Sequence, residues 1–130
     1  MAPQLRIYVP PHPLIKHWLG VLRSNTTPSP VFRSAMTELG RWLTYEAVRD
    51  WLPTVEMTIE TPLTSCPATF VDPEAAIAII PILRAGLALV EGIQSAVPNS
   101  TTYHVGLARN EETLEPTWYL NKLPETFAPD

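Results

Sequence analysis

Two arginines set the chemistry this sequence can offer. Arg84 stands inside "IIPILRAGLAL" (79–89), the most apolar stretch of the chain, and Arg109 closes "TTYHVGLAR" (101–109). Arginine is almost never fully buried without a partner, so each needs a carboxylate or an anionic ligand. The planar guanidinium fork matches two phosphate oxygens at once. Internal partners are also at hand: Glu91 lies a helical distance from Arg84, and Glu111 and Glu112 follow Arg109. Structural ion pairs are therefore the competing reading of both residues.

The elements around the arginines favour a ligand. "AAIAIIPI" (75–82) is an isoleucine-rich run with the length of a buried strand, and Pro81 is expected at its end, outside the ladder. "AGLALVEGIQSAV" (85–97) reads as a helix, with Leu87, Val90, Ile93 and Gln94 in helical register and Pro98 as its stop. The segment 101–109 is a second strand. Strand, helix and strand in such close succession predict two parallel strands joined by a right-handed crossover. Open parallel sheets bind ligands beyond the carboxyl ends of their strands. Arg84 and Arg109 both fall there, where free N–H groups and the positive end of the helix attract anions. Gly86 has no side chain to obstruct close approach. Topology thus predicts a phosphate-binding edge.

Upstream, "HPLIKHWLGVLR" (12–23) reads as a short helix facing inward with Leu14, Trp18, Leu19 and Leu22. A longer helix over 31–52 places Phe32, Ala35, Met36, Leu39, Trp42, Leu43 and Ala47 on one face, with Ser29 as N-cap, Pro30 in the first position and Pro53 as its end. "TVEMTIE" (54–60) alternates strictly and predicts a strand with one wet face, lying beside the parallel pair. A proline-rich loop is expected over 61–74. The segment 110–125 reads as a hairpin arm. The organisation is therefore a helical segment (1–53), a sheet core (54–109) and an arm (110–125).

Composition fits one soluble α/β domain: 130 residues, 45 % hydrophobic and 17 % charged. Nine basic residues in a chain of net charge −4 argue against nucleic-acid binding, which rests on clustered Lys and Arg. "MAPQLRIYVPPHP" has no secretory pattern, and Pro81 and Arg84 interrupt the one apolar run that approaches a membrane span. A cytoplasmic location is expected, and the lone Cys66 agrees with a reducing compartment. Cys66 has no activating neighbour in the sequence. His12 and His17 have the wrong spacing for a metal pair on one helical face, and His104 reads as a packed strand histidine. Glu111, Glu112 and Glu115 resemble a solvated hairpin tip more than a magnesium site. No metal ligand and no general acid or base is assigned.

The motifs "IPILRAGLALVEGI", "GLARNEETLEPTWYLNKLP", "HPLIKHWLGVLR" and "ELGRWLTYEA" together resemble the amino-terminal part of uracil phosphoribosyltransferases, from about His12 to Glu125. The resemblance implies a partial phosphoribosyltransferase-type α/β fold with amino-terminal helices, a small parallel βαβ sheet and a β-hairpin arm. It also implies that Arg84 and Arg109 contact the phosphates of phosphoribosyl pyrophosphate, which reacts with uracil to give UMP and pyrophosphate in pyrimidine salvage. Mg²⁺ would accompany the donor, and the arm would reach a partner subunit in a homodimer.

The family's donor loop, of the "Asp-Pro…Thr-Gly-Gly" type, is expected shortly after Asp130, with the uracil pocket further on. "VDPE" (71–74) does not replace that loop, and none of the five glycines is adjacent to another. An isolated chain of this kind is expected to be marginally stable or to lean on self-association, with an open edge on strand 101–109. The reading that competes with an enzyme is a non-catalytic dimerising or binding module of the same descent. An RNA-binding regulator on this fold runs against the acidic charge.

Overall fold

In the computed structural model, residues 6–126 are described; residues 1–5 of the expected helical segment lie outside them. Proline placement sets where each helix begins. Helix α1 spans Pro13–Arg23, with proline in the first turn, where its missing N–H is not needed. The Leu14 N–H donates to Nδ1 of His12, which caps the helix at 3.1 Å. Ile15 is the buried residue of α1, with Trp18 and Leu22 half-buried on the same stripe. Leu14 and Leu19, expected to face inward, are exposed: Leu14 lies one turn before Trp18 and Leu19 one turn after Ile15, at the two margins of that stripe.

Helix α2 spans Ser29–Val48 and starts one residue earlier than a Ser29 cap requires. The Phe32 N–H donates to the Pro28 carbonyl at 2.9 Å, so Pro28 is the cap and Ser29 is already helical. The helix also stops before the expected Leu52. The Trp51 indole N–H takes the carbonyl of Ala47, and the N–H groups of Trp51 and Leu52 both turn back to Val48. Ala35 and Leu39 are buried on one side of α2 and Gly40 and Thr44 on another, Gly40 being on the side that meets α3, whereas Phe32 and Ala47 are exposed.

Strand β1 (Thr54–Glu60) pairs antiparallel with β2 (Ser65–Val71) in a two-stranded ribbon of its own. Two expectations are corrected here. The segment 61–74 is not all loop, and 54–60 does not lie beside the parallel strands. Pro67 hid β2 from the sequence; an edge strand tolerates a proline that a central strand would not. Within the ribbon Val55 faces Phe70, Met57 faces Ala68 and Ile59 faces Cys66, so these six share one side, with Val71 and Pro67 on the other.

The parallel unit forms as the sequence predicts, but in two steps. Strand β3 (Ile77–Ile79) pairs with β5 (Ser100–Thr102), and β4 (Ile82–Leu83) pairs with β6 (Val105–Arg109), both parallel. Helix α3 (Leu87–Ala96) connects them. Pro81 lies between β3 and β4 rather than at the end of a single strand, since it has no N–H to continue the ladder. The Tyr103 N–H donates to the Ile79 carbonyl and that of Val105 to Pro81, keeping the chains side by side across the break. His104 falls in this break, half-buried, instead of within a strand. Strand β7 (Pro116–Asn121) pairs antiparallel with β6, giving the order β4-β6-β7. The edge of β6 expected to be open is therefore covered.

Helices α2 and α3 meet at glycines. A Cβ on Gly40 would lie 2.5 Å from the carbonyl oxygen of Leu89, and one on Gly92 would collide with the carbonyl oxygen of Thr37. This contact places α3, and with it the turn that carries Arg84. Among the described residues, no helix is long and apolar enough to cross a membrane.

Candidate functional site

Arg84 is in the turn directly after β4, and Arg109 is the last residue of β6. The register pairs Ile82 with Val105 and Leu83 with Gly106, so the two arginines leave neighbouring parallel strands at the same carboxyl rim. Both are exposed. Among the described residues the ion pairs are Arg41–Glu38 and Arg49–Glu46, and neither Arg84 nor Arg109 has a side-chain hydrogen bond. The competing pairs with Glu91, Glu111 and Glu112 are thus not formed. Two uncommitted cations on one sheet rim suit a polyanion.

The backbone around Arg84 differs from the sequence expectation. The N–H groups of Gly86, Leu87, Ala88 and Leu89 donate to the carbonyls of Ile82, Arg84, Ala85 and Gly86, at 2.9 to 3.2 Å. These four donors are therefore occupied, while the guanidiniums and the dipole of α3 still attract an anion. Gly86 also has a different role. A Cβ there would lie 2.7 Å from the backbone nitrogen and oxygen of Ile82, so its bareness lets the turn close on β4.

The arm is held at its tip by Asn110. Its side-chain oxygen accepts from the N–H groups of Glu112 and Thr113 at 2.8 and 2.9 Å, and its own N–H donates to the Glu115 carbonyl. Leu114 takes the left-handed conformation (φ 60°) that closes the turn. Arg109, Ala108, Leu114 and Pro116 line a hollow of 230 Å³ at the base of this tip.

The sequence reading overlooked Tyr119. The ladder pairs Gly106 with Leu120 and Leu107 with Trp118, leaving Tyr119 as the extra residue of a β-bulge. Its ring lies across Gly106, where a Cβ would be 2.5 Å from Cζ. The signal was the isolated glycine of "VGLAR", since glycine within a strand marks a bulge or a close approach. Among the described residues, no group of three or more His, Cys, Asp or Glu gathers to hold a metal.

A parallel βαβ unit with arginines on its rim, an antiparallel arm and covering helices is part of a phosphoribosyltransferase-like fold. The solved structure of the AQ2163 protein from Aquifex aeolicus superposes with a TM-score of 0.77 at 39 % identity, over 88 % of this chain and 54 % of that one. The family described as uracil phosphoribosyltransferase matches residues 9–130. The uracil phosphoribosyltransferase of Nostoc sp. is 65 % identical over 99 % of this chain, and that of Nicotiana tabacum 57 % identical over 95 %. The chain belongs to the uracil phosphoribosyltransferase family. It spans 60 % of the length of the Nostoc relative.

Proposed function

We propose that this chain supplies the pyrophosphate-binding rim of a uracil phosphoribosyltransferase of pyrimidine salvage. The observation that carries the reading is that Arg84 and Arg109, on adjacent parallel strand ends, have no ion pair or side-chain hydrogen bond among the described residues. In the reaction N1 of uracil bonds to C1′ of the ribose as the bond from C1′ to the pyrophosphate oxygen breaks. The N1 proton leaves, and UMP and pyrophosphate result. Negative charge grows on the departing pyrophosphate while the ribose becomes oxocarbenium-like. Guanidiniums on this rim would stabilise the negative charge that develops on those oxygens in the transition state.

Mg²⁺ enters this reading with the donor. Such an ion commonly sits on phosphate oxygens with few protein ligands. There it would offset part of the pyrophosphate charge. The exposed arm, with Trp118 and Tyr119 on its outer strand, supports a homodimer contact. A cytoplasmic location belongs to the same reading.

Titration calorimetry with phosphoribosyl pyrophosphate and with ribose 5-phosphate, both in Mg²⁺, tests the rim. The donor should bind saturably and more weakly as salt rises, with ribose 5-phosphate at least about 10-fold weaker. Equal affinity for the two would mean that the rim does not read the pyrophosphate.

A further inference from the structure

Arg109 ends β6, and the chain that leaves it carries Glu111 and Glu112. All three side chains are exposed, and opposite charges this close in sequence attract one another. Yet neither glutamate pairs with Arg109: the ion pairs among the described residues are Arg41–Glu38 and Arg49–Glu46. Something keeps the carboxylates off the guanidinium.

The hydrogen bonds of the tip converge on Asn110. Its Oδ1 accepts from the N–H groups of Glu112 and Thr113, its N–H donates to the Glu115 carbonyl, and its own carbonyl accepts from the Leu114 N–H at 2.9 Å. Within the tip only the bond from the Glu115 N–H to Thr113 Oγ1 is made without Asn110. An asparagine that bonds the backbone two residues on winds the chain into a turn, and this winding fixes where Glu111 and Glu112 leave the backbone. Leu114 is a second link. A leucine has no local preference for the left-handed conformation it adopts, so the bond to the Asn110 carbonyl helps to hold it there. In that conformation Leu114 lines the same hollow as Arg109. One residue thus governs both the carboxylates that compete for Arg109 and the apolar wall beside it.

We propose that Asn110 is a positioning residue for the pyrophosphate site: by holding the arm tip it keeps Glu111 and Glu112 from pairing with Arg109, which stays available to the donor. The inference rests on the reading of Arg109 as a pyrophosphate ligand. Once the turn is released, the two tethered carboxylates compete with the donor at a high effective concentration.

Titration calorimetry with phosphoribosyl pyrophosphate in Mg²⁺ tests this. The tip is exposed, so substitutions there leave the core intact. Asn110→Ala should weaken donor binding about 10-fold. Asn110→Ser keeps an oxygen that accepts in the same kind of turn and should remain within about 3-fold of the parent. Glu111→Gln combined with Glu112→Gln separates released competition from simple loss of structure. In the parent the pair should raise affinity by no more than about 2-fold, and in Asn110→Ala by at least about 5-fold. A merely structural defect is not repaired by neutralising two glutamates. Equal gains in the two backgrounds would reveal a general charge effect and overturn the proposal, as would unchanged affinity in Asn110→Ala or a serine variant as weak as the alanine one. Arg109→Ala in the same series keeps the two readings apart. If it loses affinity while Asn110→Ala does not, the positioning role alone fails; if it loses none, the pyrophosphate reading of Arg109 fails with it.

Discussion

Arg84→Ala is expected to weaken binding of phosphoribosyl pyrophosphate on the order of 100-fold, with almost no effect on folding. The loss follows from removing a guanidinium that can make two charge-assisted hydrogen bonds to the departing pyrophosphate, each worth about 1.5–3 kcal/mol. Stability should change by no more than about 0.5 kcal/mol, because the side chain is exposed and makes no hydrogen bond or ion pair among the described residues. Arg84→Lys separates charge from geometry. It keeps the cation but loses the planar fork, and should recover only part of the affinity. Calorimetry and thermal unfolding on the same samples check both halves of the expectation. Unchanged donor affinity in Arg84→Ala would remove this residue from the site.

Gly92→Val should lower stability by about 3 kcal/mol or more, enough to unfold much of the chain at room temperature. Gly92 is buried where α3 crosses α2, and any Cβ there strikes the carbonyl oxygen of Thr37 and comes within 2.8 Å of the backbone nitrogen of Arg41. These are backbone atoms in a helix, so they cannot swing aside as a side chain would. Separating the helices would also break the close approach of Gly40 to the Leu89 backbone one turn along. Gly20→Ala provides the contrast. Nothing lies within 4 Å of a Cβ at that position in α1, so the substitution should stabilise by up to about 1 kcal/mol. Denaturant unfolding of the two variants beside the parent reads both signs. A Gly92→Val protein as stable as the parent would show that the helices do not cross there.

The parallel unit and its two arginines were legible because their signals are local. An isoleucine-rich run, a helical register and a second strand follow one another closely, and the register of β4 with β6 then places Arg84 and Arg109 on one rim. The fate of the backbone donors was not legible. Whether the N–H groups of residues 86–89 are free depends on how tightly the turn winds, and here they bond back to the turn itself. Strand β2 was lost behind Pro67, since a breaker counts against a strand until its edge position is known. The inward face of α1 was misplaced because Leu14 and Leu19 are as apolar as Ile15, and only the packing against α2 selects among them. Tyr119 was beyond reach for a related reason: a bulge is a property of two strands, and only Gly106 hinted at it.

The measurement that tests the account most directly is a nuclear magnetic resonance titration following the side-chain Nε–Hε signals of the arginines as phosphoribosyl pyrophosphate is added. The account predicts that the Arg84 and Arg109 signals move together and saturate at one common Kd, while those of Arg41 and Arg49, already paired with carboxylates, stay in place. Saturable binding that leaves Arg84 and Arg109 unmoved would contradict it.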